Sequence, residues 1–81
     1  MDHSALRADI LTLAARQGLR GDIADDAELA AHLDSLQRLA LVVAIEDHFA
    51  IAFDPEDDAR AATLGGVVEV VAARLAEAAH A

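Results

Sequence analysis

Between Asp34 and Phe49 apolar residues repeat at helical spacing, but on two faces at once. With Leu36 as origin and about 100° of rotation per residue, Leu41, Val42, Ile45 and Phe49 fall within one arc on the far side of the helix. Leu36, Leu39 and Val43 form a separate stripe at i, i+3 and i+7, flanked on either side by Glu46 and Asp47. A surface helix ordinarily carries one apolar face, and a helix apolar all round is ordinarily buried. A chain of 81 residues has too little structure to bury every side of one helix. The second stripe therefore either contacts another part of the chain or stands exposed as a docking surface rimmed by carboxylates.

Two further segments carry the same period. Leu6, Ile10, Leu13 and Ala14 predict a first amphipathic helix, with Asp2 or Ser4 as its cap and Gly18 and Gly21 bracketing its end. A long polar loop with Asp22, Asp25, Asp26 and Glu28 follows, and Ile23, Leu29 and Leu33 are expected to tack it onto the core. The two-faced helix is expected to start at Asp34 or Ser35 and run to about Phe49. Asp54 followed by Pro55 reads as a cap with proline at the first helical position, which predicts a short helix over 55–61. Thr63 is the candidate cap of a last helix with Leu64, Val67, Val68, Val71 and Leu75 on one face and an Ala- and Glu-rich end that frays. Strand signals are nearly absent. The expected fold is all-α: a small antiparallel-type bundle of three main helices plus one short helix, forming a single stand-alone domain over 1–81.

A domain of this length buries about two-thirds of the surface its unfolded chain exposes, enough for one thin core but little enclosed active site. Aromatics are limited to Phe49 and Phe53, so the core must be aliphatic. There are 15 Asp and Glu against 6 Arg and no Lys, giving a formal net charge of -9. That balance argues against nucleic acid and anionic membrane surfaces and favours basic partner surfaces. No cysteine is present, which excludes disulfides and thiolate metal sites and is compatible with a reducing compartment. The N-terminal stretch lacks the basic start and continuous apolar core of a secretory leader, and the longest apolar run, Leu39 to Ile45, is far too short to span a bilayer. A soluble cytoplasmic protein is expected.

Candidate chemistry is sparse. His3, His32, His48 and His80 have no ligand-like spacing, so no metal site is expected. The carboxylates of 54–58 lack the glycine and terminal glutamate of a calcium loop and read as a solvated turn. Gly65 and Gly66 open a helix without a phosphate-loop motif, which suggests close helix packing. Taken alone, Asp34 or Ser35 is a helix cap, because both side chains accept bonds from unpaired N–H groups.

The register around Ser35 adds a second meaning. The segment DSLQRLALVVAIEDHF resembles the second helix of acyl carrier proteins along its full length, from Leu36 after the serine to the acidic pair closing on Phe49. FDPEDDARAATLGGVVEVV resembles the acidic turn, short third helix and threonine-led last helix of that family. The resemblance covers nearly the whole chain. It implies an acyl-carrier-like, non-enzymatic protein whose Ser35, between Asp34 and Leu36, receives 4'-phosphopantetheine from coenzyme A through a phosphopantetheinyl transferase. It further implies a monomer that holds acyl groups as thioesters and delivers them to acyl-loading and acyl-processing enzymes docked on Leu36, Leu39, Val43, Glu46 and Asp47. A serine in the first turn of a helix suits a phosphodiester, which the helix dipole and free N–H groups tolerate.

The chain departs from fatty-acid-synthase carriers at Gln37 and Ala40, where that branch usually has acidic residues, and at His32, where a glycine is frequent. Rim charges of this kind mainly set association rate and partner choice. The departures favour a specialised pathway, of polyketide, peptide-type or unusual acyl products. Primary type II fatty acid synthesis is the alternative, and an unmodified helical interaction or regulatory module is the alternative of another class.

Overall fold

The computed structural model describes residues 3–80. Three helices, α1 (His3–Arg16), α2 (Ser35–Phe49) and α3 (Leu64–His80), account for the regular structure, and among the described residues there is no strand beyond an isolated bridge between Glu28 and Thr63. α1 packs on both α2 and α3. All four apolar positions of the first expected stripe, Leu6, Ile10, Leu13 and Ala14, are buried, together with Leu41 and Ile45 of α2 and Leu64, Val67, Val68 and Val71 of α3. Leu75 is partly buried against the same core. Two buried apolar residues lie outside the expected stripes: Val70 and Leu19.

α1 ends as its glycine requires. The N–H of Gly18 donates to Ala15 O and that of Leu19 to Ala14 O, with Gly18 at φ +109°. This pairs the last carbonyls of the helix and turns Leu19 back into the core. Asp2, one of the two expected caps, lies outside the described residues, and Ser4 falls within the helix rather than before it.

The loop from 17 to 34 is fixed by two sets of contacts. Arg7 on α1 donates from Nε to Asp25 at 2.6 Å, from Nη2 to Asp22 at 2.9 Å, and from Nη2 to the carbonyl of Ile23 at 2.6 Å. The pairing holds the Asp22 carboxyl below its ordinary range. On the other side, the first turn of α3 meets the loop: Gly65 N–H donates to Asp25 O at 2.8 Å. Leu29 and Leu33 are buried and Ile23 partly so, as expected of the residues that tack the loop down.

The short helix expected over 55–61 is present as two 3-10 turns, Pro55–Asp57 and Arg60–Ala62. Asp57 ties the segment to α3. Its Oδ2 accepts from the N–H of Asp54 at 2.8 Å and from Nη2 of Arg74 at 2.6 Å, and Asp57 is only 4% exposed. The acidic turn is therefore not simply solvated. Arg74 also reaches Asp54 at 3.0 Å and Glu77 at 3.1 Å. The i, i+3 contact with Glu77, in an alanine-rich stretch of high helix propensity, accompanies an α3 that stays helical to His80 instead of fraying earlier.

The two glycines of α3 mark close packing, as their placement suggested. A Cβ at Gly66 would overlap the carbonyl oxygen of Arg60, and one at Gly65 would lie 3.0 Å from Asp25 O. Thr63 caps the helix, its Oγ1 accepting from Gly66 N–H at 3.0 Å. Gly66→Ala is accordingly expected to lower stability by about 1–3 kcal/mol through overpacking against backbone, read as a reduced denaturation midpoint, with Gly65→Ala milder.

Arg74 holds the Asp57 carboxyl below its ordinary range, first by its hydrogen bond, aided by the Asp54 amide. The folded state therefore binds that proton less readily than the unfolded chain. The stability it confers is complete above the unfolded carboxylate range, near pH 4, and is lost as pH falls through the lower folded value. Thermal melts of Asp57→Asn should show lower stability at neutral pH and a shallower decline below about pH 4 than the parent. Parallel declines would refute the pairing.

Candidate functional site

The site is built where the pinned loop delivers the chain to α2. Asp34 is the N-cap, extended at φ -73° and ψ 175°, and its Oδ1 accepts from Gln37 N–H at 2.7 Å. Gln37 returns the bond, its Oε1 accepting from Asp34 N–H at 2.9 Å. This reciprocal pair is a capping box, in which glutamine serves as well as glutamate. Gln37, which on the resemblance marks a missing docking carboxylate, is thus engaged in fixing the helix start. Asp34 takes the capping role and leaves Ser35 as the first helical residue, exposed, with no intrahelical acceptor for its N–H.

The second apolar stripe of α2 is open to solvent. Leu36, Leu39 and Val43 are 73%, 61% and 49% exposed, and they are the exposed large hydrophobic residues of the described chain. The loop does not cover them. Of the flanking carboxylates, Asp47 is exposed, whereas Glu46 is half-buried and its Oε2 accepts from Phe53 N–H at 2.9 Å. Glu46 therefore anchors the chain as it leaves α2 and keeps one carboxylate oxygen for other contacts. The helix closes at Ala50, which adopts the left-handed conformation (φ 55°, ψ 48°) while Ile51 N–H bonds to Glu46 O.

Next to Ser35 a cleft of about 400 Å³ opens between α2, the 60–62 turn and α3, and Leu39 of the exposed stripe is among its lining residues. Ser35 and Arg38 stand among its lining residues with Leu41, Ile45, Ala61 and Val67, and Asp58 contributes a carboxylate. The wheel of α2 already contains this feature: Arg38 falls at about 200° from Leu36, in the middle of the core-facing arc. A cation at that angle is the signal the apolar periodicity passes over. Arg38 is half-buried, and its Nε is buried without a hydrogen-bond partner.

Among the described residues no group of three His, Asp or Glu is placed to hold a metal ion. No helix among them is long and apolar enough to cross a membrane. Ser35 is instead an accessible hydroxyl at a capped helix start, between an exposed apolar stripe and a partly apolar cleft.

A family model described as a phosphopantetheine attachment site matches residues 6–71, which covers most of the chain and contains the whole of α2. No curated protein and no solved structure matches the chain significantly.

The exposure of Val43 has a direct consequence for stability. Val43→Glu should leave the helical circular dichroism and the denaturation midpoint nearly unchanged, within about 0.5 kcal/mol, as for a surface position. Ile45→Ala, on the same helix but buried, should cost about 2–5 kcal/mol. A large loss for Val43→Glu would show that the stripe is part of the core.

Proposed function

The chain belongs to the phosphopantetheine-attachment family, and from that membership we propose that Ser35 bears the 4'-phosphopantetheine arm of an acyl carrier. Domains of this family are non-catalytic carriers with a covalently attached 4'-phosphopantetheine, and they work with enzymes such as transferases and acyl-processing enzymes. The observation that carries the assignment is the position of Ser35: exposed, first in α2, with Asp34 and not the serine acting as cap. Its hydroxyl is therefore free of the structural duty that a serine at a helix start ordinarily performs.

The residues present fit the group. Oγ of Ser35 attacks the phosphorus of coenzyme A that bears the pantetheine. The new O–P bond forms as the phosphoanhydride breaks, the nucleotide leaves, and the hydroxyl proton passes to a base of the transferase. The helix start would hold the resulting phosphodiester through unpaired N–H groups and the positive end of its dipole. When bound, the arm supplies a terminal thiol that holds acyl groups as thioesters.

Leu36, Leu39 and Val43, with Asp47 and the free oxygen of Glu46, form the surface on which partner enzymes dock. An exposed apolar stripe with a charged rim has the composition of such an interface. With Gln37 committed to the helix cap and Ala40 uncharged, that rim carries fewer carboxylates than fatty-acid-synthase carriers present. This favours delivery within a specialised pathway of polyketide, peptide-type or unusual acyl products over primary fatty acid synthesis. The absence of cysteine accords with a cytoplasmic carrier, and the acidic surface with one that is monomeric between encounters.

Incubation with coenzyme A and a broad-specificity phosphopantetheinyl transferase, followed by intact mass measurement, is expected to add one phosphopantetheinyl group to the parent and none to Ser35→Ala. An unmodified parent, or equal modification of the variant, refutes the assignment and leaves the unmodified interaction module. With the loaded carrier, Val43→Glu should lower partner kcat/KM about tenfold, the effect of losing one central contact.

A further inference from the structure

We propose that Arg38 clasps the phosphodiester joining the arm to Ser35, and so fixes the root of the arm over the cleft between α2 and the 60–62 turn. The inference rests on the reading of Ser35 as the attachment point and adds to it a residue that positions the arm.

Three observations converge on Arg38. It follows Ser35 by three residues on the same helix, so the two Cβ atoms lie about 5–6 Å apart, well within the reach of an arginine side chain. Both residues line the same cleft. Arg38 also differs from the exposed Arg16 and Arg20 in being half-buried, and from the three paired arginines in having no carboxylate partner. Arg7 meets Asp22 and Asp25, Arg60 meets Glu69, and Arg74 meets Asp54, Asp57 and Glu77. Arg38 is half-buried, enters no ion pair among the described residues, and has a buried Nε without an acceptor. The Nε of Arg74 is also unpartnered, but that guanidinium is already neutralised by three carboxylates.

A buried donor left unpaired is costly, and a guanidinium without a carboxylate partner is attracted to an anion brought within reach. The chain supplies one carboxylate to the cleft, Asp58, and it is not bonded to Arg38. Modification of Ser35 would fix a phosphodiester one helical turn away. Its two non-bridging oxygens match the fork of a guanidinium, which binds phosphate through paired, charge-assisted bonds. A chain of net charge -9 would thus accept a further anion at a place where its own cation is not neutralised.

The test uses the full chain, with arginine side chains labelled with ¹⁵N, before and after conversion by coenzyme A and transferase, with mass confirming modification. In the modified protein the Arg38 Nε–H resonance should move downfield, and its exchange with water should slow about tenfold, as for one charge-assisted bond. The ³¹P resonance of the phosphodiester should move between the parent and Arg38→Gln. Arg38→Lys, which keeps the charge but loses the fork, should give an intermediate ³¹P position. Circular dichroism of the unmodified variants verifies that each is folded. Confirmed modification with an unchanged Arg38 resonance and the same ³¹P position in parent and variants overturns this inference alone. A response of Arg38 that begins only when a carboxylate-bearing acyl group is loaded also overturns it, by assigning the cation to cargo. Absence of any mass increase overturns the carrier reading and this inference together.

Discussion

The course of the loop from 17 to 34 is the constraint on which the rest of the structure depends. A connection of this length is expensive to order and must be held by something other than regular structure. Here it is held from two directions, by the guanidinium of Arg7 on α1 and by the opening turn of α3 against Asp25. Gly65 and Gly66 allow that approach, because any side chain there would press on the backbone of Asp25 or Arg60. The buried Leu29 and Leu33 then bring the chain to Asp34 in the extended conformation an N-cap needs. The exposure of Ser35 is thus set by contacts several residues away from it.

α2 meets two demands that a helix in a small bundle rarely meets together. Its inner arc supplies Leu41 and Ile45 to the core, and its outer stripe leaves three large aliphatic side chains in water. Burying a side chain of that size contributes about 1.5–3 kcal/mol, so exposing three forgoes several kcal/mol that a purely structural helix would retain. Polar residues at those positions would cost the fold little. Fold stability therefore gives no reason for their apolar character. The capping box serves both demands, since it fixes the start of α2 through Asp34 and Gln37 and leaves the neighbouring hydroxyl unengaged.

What could be read from the sequence follows from how local each interaction is. The bounds of α2, the four buried positions of α1 and the close packing of Gly65 and Gly66 come from period, capping chemistry and turn residues, which act over a few positions. The pairing of Asp57 with Arg74 was not legible, because it joins residues 17 apart through a geometry that only the fold creates. An acidic turn reads as solvated until its partner on another element is known. Leu19 was missed because it follows a helix-ending glycine, where period no longer applies, yet the bonds that end α1 carry it inward. The site divides in the same way. The cap at Asp34 and the second apolar stripe follow from α2 alone and Ser35 as attachment point only from the resemblance, whereas the cleft needs α3 and the 60–62 turn to exist.

Charge placement links the fold to the site. Of six arginines, Arg7, Arg60 and Arg74 are engaged with carboxylates of the same chain, so much of the positive charge is spent within the structure. Those pairs tie α1 to the loop and the 55–62 segment to α3. The exposed side of α2 keeps Asp47 and gains no cation, while the only cation of the helix, Arg38, is turned toward the cleft. The helix therefore presents an anionic, apolar face outward and a cationic, apolar face inward, with Ser35 at the head of both.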